Sequence, residues 1–408
     1  ILCPTEKKFS ISPIRLWVCG HIRTDSTKGM KIVCDHKIPF LKGALEPYAE
    51  VVYLPGNRIA AADVKDADAL ITRTRTKCNA ALLEHSAVKM IATATIGYDH
   101  IDTEWCEQKG IAWTNAPGCN SGSVQQYIAS VLAGLAQEPG FRFEDKTLGV
   151  VGVGNVGKKV ARLAEILGFR VLLNDPPRAR AEGPEAFVSL EQLIRESDII
   201  TLHVPLETKG PDATYHLFDA KRLQGLSPRQ ILINSSRGEV VDNQALKTCL
   251  KQVGIKAAVL DVWEKEPAVD LELLDLVLYG TPHIAGYSAD GKGNGTTMSV
   301  RAIAKKFNLP LQDWQAVHLP LPAQSIYPEL NGRGKSPQEV LCKAILHTYR
   351  VEDESRVLKQ NPGTFEQQRA DYAVRREFGC YTLRLRGVEK PVAEKLAALG
   401  FKLEILPE

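Results

Sequence analysis

Apolar and polar positions along this chain fall into two alternating rhythms. Short apolar runs occupy residues 31–34, 51–54, 69–72, 89–94 and 111–114, each with the length and content of a buried strand. Between them the apolar positions spread to helical spacing, with Pro39, Asn79 and Asp102 placed where helices would begin. Strands and helices in regular turn predict a parallel sheet covered on both faces. A longer helix is expected over 121–137, where Val124, Tyr127, Ile128, Val131, Leu132 and Leu135 share a face and Pro139 ends it.

The same rhythm resumes at Thr147. An apolar run, 148–153, leads into a turn holding Gly152, Gly154 and Gly157, and a helix follows with Val156, Val160, Leu163, Ala164 and Leu167 on one face. A further strand, 170–174, ends in Asp175. Three glycines spaced G-x-G-x-x-G give a tight turn, a close approach of backbone to a pyrophosphate and close packing of helix on strand. Asn155, Val156 and Gly157 open the helix, so free amides would face the phosphates. Asp175 stands about 20 residues on, where a carboxylate takes the ribose hydroxyls. Strand, turn, helix, strand and acid in this order predict dinucleotide binding. A carboxylate at 175 repels a 2′-phosphate, so NAD is expected over NADP, although Arg178 and Arg180 are close enough in sequence to blur the preference.

The pattern continues through Ser189, a helix-capping residue with Gln192 three positions on, and strands at 199–203, 230–234 and 257–260. Six parallel strands are expected between Lys146 and Asp261. From about residue 311 the rhythm breaks, and Pro310, Pro320, Pro322, Pro328, Gly332 and Gly334 read as a linker. A helix at 337–349, a strand at 381–386, a helix at 391–399 and a strand at 402–405 complete the chain. The expected class is α/β: two doubly wound parallel-sheet domains, Rossmann or flavodoxin-like, and a small C-terminal α+β domain. Residues 30–122 with 284–310 are expected to bind substrate, 123–283 to bind NAD and 311–408 to form a dimerisation module. Residues 1–29 begin at Ile1 and lack the pattern of a secretory signal; they read as an extension ahead of a native start at Met30.

Composition narrows the function classes. Hydrophobic residues make up 44% and charged residues 24% of 408, as in an ordinary globular protein. A net charge of +3 is too small to argue for nucleic acid or a membrane surface, and no uninterrupted apolar run reaches spanning length. The nine cysteines are odd in number, scattered and without a C-x-x-C pair, so they read as reduced thiols of a cytoplasmic protein, not staples or metal ligands.

Residues that a core would not choose collect at strand ends. The early loops carry Thr72–Thr76 and Thr93–His100, whose hydroxyls, arginines and glycine suit an anionic ligand. The later loops carry Arg237, Glu266 and His283. With Asn115-Ala-Pro-Gly-Cys-Asn120, the glycine turn, Leu260-Asp-Val-Trp263 and Gly280-Thr-Pro-His-Ile-Ala-Gly-Tyr287, the chain from Met30 onward resembles the D-2-hydroxyacid dehydrogenases. The resemblance implies that Arg237 grips a substrate carboxylate through its planar fork. It implies too that His283 takes the hydroxyl proton as hydride leaves the same carbon, and that Glu266 holds the imidazole and favours its charged form. Further implied are substrate contacts at Thr74, Thr95 and Tyr287 and cofactor contacts at Asp175, Asp261 and Gly286, with no metal. After His203 this chain has Val204 where members of the family can offer a threonine hydroxyl to the cofactor; Val204 has only its backbone to give.

Residues 311–408, including Tyr372-Ala-Val-Arg-Arg-Glu377, resemble the C-terminal module of members that act on a phosphorylated 2-hydroxy acid. The expected activity is NAD-dependent oxidation of such an acid by a homodimer paired through that module. Two alternatives stay open at this point: the same reaction on another acid such as D-3-phosphoglycerate, and a non-catalytic dinucleotide-sensing scaffold like the co-repressors of this fold. A substrate phosphate needs cations of its own. Arg73 and Arg75 are the near candidates, and Arg375 or Arg376 reaching across a two-fold dimer is the other source.

Overall fold

The computed structural model describes residues 29–407. The extension expected over 1–29 lies, apart from Gly29, outside the described residues.

Five strands, β1 (Lys31–Asp35), β2 (Glu50–Leu54), β3 (Ala69–Thr72), β4 (Met90–Thr93) and β5 (Ala112–Thr114), form a parallel sheet in the order β2-β1-β3-β4-β5. This is the flavodoxin-like doubly wound order. The central strands β3 and β4 are buried throughout, which is why they read as unbroken apolar runs. Asn79 and Asp102 cap short helices by accepting the amides of Leu82 and Trp105. Pro39 opens no helix, contrary to expectation. Residues 37–49 run as turns, with Phe40 at φ 61° and Gly43 at φ 87°, while the Glu46 carboxylate takes the amides of Gly43 and Leu45. Those local bonds compete with a helical ladder and still let Leu41, Ala44 and Leu45 bury.

The second sheet holds β6 (Thr147–Val151), β7 (Arg170–Asn174), β8 (Ile199–Leu202), β9 (Ile231–Asn234), β10 (Ala257–Leu260) and β11 (Tyr279–Gly280), in the order β11-β10-β9-β8-β6-β7. All its pairings are parallel. Chain order reverses beside β6, the position in such sheets where ligands bind. Six strands is the expected number, but only five precede Asp261. The sixth, β11, has two residues and is too short to register as an apolar run.

Six helices frame the cleft: α1 (Ser121–Leu135), α2 (Asn155–Leu167), α3 (Ala289–Phe307), α4 (Pro337–Thr348), α5 (Val351–Gln360) and α6 (Phe365–Ala370). From α3, Val300, Ile303 and Ala304 return to the first sheet and pack with Ile32, Ile71 and Ala92. A third parallel sheet, β12 (Glu329–Asn331), β13 (Thr382–Arg386) and β14 (Lys402–Ile405), follows in that order. Strand β12 lies within the stretch expected as linker, and α5 and α6 were not expected. Leu330, Val340, Leu341, Ile345 and Leu383 share one apolar core with α1, α2 and β6, so the C-terminal residues are packed onto the second sheet's helices. Among the described residues no helix is long and apolar enough to cross a membrane.

Candidate active site

Strand β6 delivers the chain into the glycine turn. Gly152 sits at φ 85°, and a Cβ there would stand 2.7 Å from the His203 carbonyl oxygen. At Gly157 a Cβ would stand 1.9 Å from the Gly152 carbonyl oxygen, so α2 can start this close to the strand only with glycine. A Cβ at Gly154, in contrast, would meet nothing within 4 Å among the described residues. No side chain caps α2, which leaves the amides of Asn155, Val156 and Gly157 without a capping acceptor. Open space over free donors at the positive end of a helix fits a pyrophosphate.

Asp175 ends β7 and accepts the amides of Val153 at 2.8 Å and Arg178 at 3.1 Å, which ties the acid to the rim of the same turn. Arg178 is held by Glu182 at 2.7 Å, and Arg180 is paired with Asp212. Both cations near the ribose position therefore carry their own counter-charges. The Val204 side chain packs against Gly152.

Strands β9 and β10 end side by side, and the loops beyond them carry Arg237 and Glu266. Gly238 permits their approach, since a Cβ there would stand 2.1 Å from the Trp263 backbone. Glu266 accepts the Trp263 amide through Oε1 at 2.9 Å and meets His283 Nδ1 through Oε2 at 2.8 Å. With the Nδ1 proton turned to the carboxylate, Nε2 is the basic nitrogen left over. Arg237 donates Nη1 to the Ser236 carbonyl at 2.8 Å, and its Nη2 lies 3.9 Å from the place a Gly97 Cβ would take. The guanidinium thus faces the loop after β4, across the cleft.

Asp261 explains the shape of the His283 loop. It is 1% exposed; Oδ1 accepts the Thr281 hydroxyl at 2.7 Å and the Ile284 amide at 2.8 Å, and Oδ2 accepts the Ala285 amide at 2.9 Å. Its carbonyl accepts the amide of His283, whose backbone sits at φ 56°. Burial pushes the Asp261 pKa up, against the pull of His283 and these donors. Its side chain is turned into the protein, where it fixes the loop. Gly286 lets that loop pass Asn120, whose Nδ2 would stand 2.2 Å from a Cβ.

Of the expected substrate contacts, Thr95 donates its hydroxyl to the Gly97 carbonyl at 3.0 Å and meets the Thr93 hydroxyl at 2.8 Å, shaping the loop that faces Arg237. Thr74 is exposed in the turn after β3. The strand has ended at Thr72, so strand alternation does not set Arg73 and Arg75 on one face and Thr74 on the other. Arg73 turns back to buried Asp35 at 3.1 Å, and Arg75 reaches Glu366 on α6 at 3.5 Å. Tyr287 accepts from Arg369 Nη2 at 3.1 Å.

A family model described as the NAD-binding domain of D-isomer specific 2-hydroxyacid dehydrogenases matches residues 123–285. An erythronate-4-phosphate dehydrogenase of Bacteroides fragilis is 48% identical over 355 residues, 87% of this chain and 99% of its own. The chain belongs to the erythronate-4-phosphate dehydrogenases. As a member of that family it is an NAD-dependent dehydrogenase, and its NAD-binding domain is the one that holds the glycine turn. Among solved structures, a D-lactate dehydrogenase from Aquifex aeolicus complexed with NAD and lactic acid is similar at TM-score 0.56 and 26% identity, covering 71% of this chain and 100% of that one. The NAD+-bound 3-phosphoglycerate dehydrogenase of Entamoeba histolytica is similar at TM-score 0.57 and 26% identity, covering 72% and 100%.

The structure overturns one expectation about this erythronate-4-phosphate dehydrogenase family member, that Arg375 or Arg376 serves a phosphate across a dimer. Arg375 is buried, donates Nη2 to the carbonyls of Ala285 at 2.5 Å and Ile284 at 3.3 Å, and lies 4.5 Å over the Tyr349 ring. Arg376 grips both oxygens of Asp290 at 2.9 and 3.1 Å. Glu377 accepts the hydroxyls of Ser123 at 3.0 Å and Ser288 at 2.9 Å, and burial raises its pKa. This segment joins α1, α3 and the His283 loop. Two arginines in an aperiodic stretch give no sequence sign of burial. Sequence reasoning missed Arg369 altogether, because α6 is too short to show a period.

Proposed function

We propose that this chain oxidises 4-phospho-D-erythronate to 3-hydroxy-2-oxo-4-phosphobutanoate with NAD, in the synthesis of pyridoxal 5′-phosphate. The observation that carries the reading is the His283–Glu266 pair at 2.8 Å, set with Arg237 between the glycine cradle and the first-sheet loops. Bound NAD supplies the acceptor for the hydride that leaves C2. Gly152, Gly154, Asn155, Val156 and Gly157 would hold its pyrophosphate and Asp175 its ribose. Arg237 binds the substrate carboxylate with two parallel hydrogen bonds, which sets the C2 hydroxyl toward His283. His283 Nε2 takes the hydroxyl proton as the C2–O double bond forms, and Glu266 stabilises the imidazolium. Thr74, Thr95 and Tyr287 would contact the rest of the substrate.

The Bacteroides relative matches a larger share of the chain than the phosphoglycerate enzyme does, which favours the four-carbon acid. NADH formation with 4-phosphoerythronate, D-3-phosphoglycerate and D-lactate side by side tests this. The phosphoerythronate should give the highest kcat/KM. A faster phosphoglycerate reaction would overturn the substrate, and no turnover on any acid would leave the scaffold reading.

Pairing into a homodimer through residues 311–408 fits the same chain. Val317, Leu321, Tyr327 and Ile405, all on these residues, are exposed at 60% or more, and the outer strands β12 and β14 leave open edges. Light scattering should give twice the 44.9 kDa chain mass; a monomer would overturn the pairing. The described cysteines are unpaired, which suits the reducing cytoplasm.

A further inference from the structure

The reaction proposed above fixes where a phosphate must sit. Two carbons and an ester oxygen separate C2 from phosphorus, so the phosphate lies roughly 5 Å from the carbon that faces His283. Tyr287, one turn beyond His283, has two cations on its ring: the Lys292 ammonium from α3 at 5.0 Å and the Arg369 guanidinium from α6 at 5.7 Å. Arg369 is anchored by Tyr287 Oη at 3.1 Å and Glu366 at 2.9 Å, yet its buried Nε has no hydrogen-bond partner among the described residues. The Arg75–Glu366 contact brings α6 against the turn that carries Thr74, so the helix stands at the mouth of the cleft.

From this geometry we infer that Arg369 and Lys292 bind the substrate phosphate, the first through its unsatisfied Nε edge and the second as a point charge. The C-terminal module thereby completes the substrate site of its own chain. The surroundings agree. Burial opposes the charge of Arg369, but Tyr287, Glu366 and Glu266 together raise its pKa, which also places it within electrostatic reach of the catalytic pair. Burial first, and then crowding by the charges of Arg375 and Arg73, lowers the pKa of Lys292. A dianion relieves that crowding.

The inference rests on the proposed reaction, and the test separates the two. Arg369→Gln and Lys292→Met are each compared with wild type for kcat/KM on 4-phosphoerythronate and on unphosphorylated erythronate. Inorganic phosphate is titrated into all three proteins by calorimetry. A charged hydrogen bond to phosphate is worth roughly 10- to 100-fold, so the preference for the phosphorylated acid should shrink by that factor in each variant, and phosphate binding should weaken in parallel. Wild-type turnover of 4-phosphoerythronate with an unchanged preference in both variants overturns the site alone. A wild type without turnover whose phosphate binding is lost in the variants overturns the reaction and keeps the site. Equal losses on both acids assign Arg369 to positioning Tyr287, and Lys292→Met, which leaves the Arg369–Tyr287 bond in place, then decides whether any phosphate site stands.

Discussion

Gly238 matters to the catalytic geometry through the methyl group it lacks. Its neighbour Arg237 could be picked out from sequence because a charge at the end of a buried strand needs a reason, and the same holds for Glu266 and His283. The contact that sets their separation could not, since a glycine in a loop looks alike whether it serves a turn or a close approach. Here it lets the Arg237 loop lie against the Trp263 backbone, which donates its amide to Glu266. Gly238→Ala puts a Cβ 2.1 Å from that backbone, so the loops must part. Misplacing a reacting group by an ångström costs on the order of 10²-fold, and the loss in kcat/KM should be of that size. NADH binding, read by fluorescence, should persist because the glycine turn is untouched. A kcat/KM within a few-fold of wild type would show that Arg237 and Glu266 need no such registration.

At the scale of elements, strands with buried faces were visible in sequence to within a residue or two, because unbroken apolar runs leave little choice. Elements made by side-chain bonds were not: Pro39 starts turns held by Glu46, and β11 is too short to carry a pattern. The junction of α1, α3 and the 375–377 segment belongs to this second kind, and it has a pH signature. Glu377 is buried where two serine hydroxyls only partly offset desolvation, so its pKa is raised from 4.5. As pH rises the unfolded chain gives up this proton first. The neutral side chain therefore contributes its full stability below 4.5, and that contribution is lost as pH climbs through the raised folded value. Glu377→Gln keeps an acceptor for Ser123 and Ser288 and carries no charge to bury. Its Tm should exceed the wild type's at neutral pH, and the advantage should vanish below 4.5. A lower Tm at neutral pH would mean that the ionised carboxylate is what this junction requires.

Over the whole molecule, the break near residue 311 was legible as a shift in composition, but the residues beyond it share a core with the helices of the second sheet. The reason lies on α1. Its apolar stripe was plain in sequence, whereas its opposite face, with Ser123, Gln126, Ala129, Ser130 and Ala133, read as ordinary and is buried as well. That face bonds the C-terminal residues: Gln126 reaches Thr348 and the Arg376 carbonyl, and Ser130 reaches the Tyr349 carbonyl and the Val351 amide. Val340, Leu341 and Ile345 of α4 and Leu383 and Leu385 of β13 continue the same core. Each such side chain stabilises by about 1.5–3 kcal/mol on burial, so those five alone approach the roughly 5–15 kcal/mol that hold a domain folded. A chain ending at residue 310 should therefore lose its cooperative melting transition, bind hydrophobic dyes and fail to retain NADH, even though every residue of the glycine cradle is present. A truncated chain that melts cooperatively and binds NADH like the full one would mean that α1 can be solvated on that face, and the C-terminal residues would then be an appended module and not part of the core.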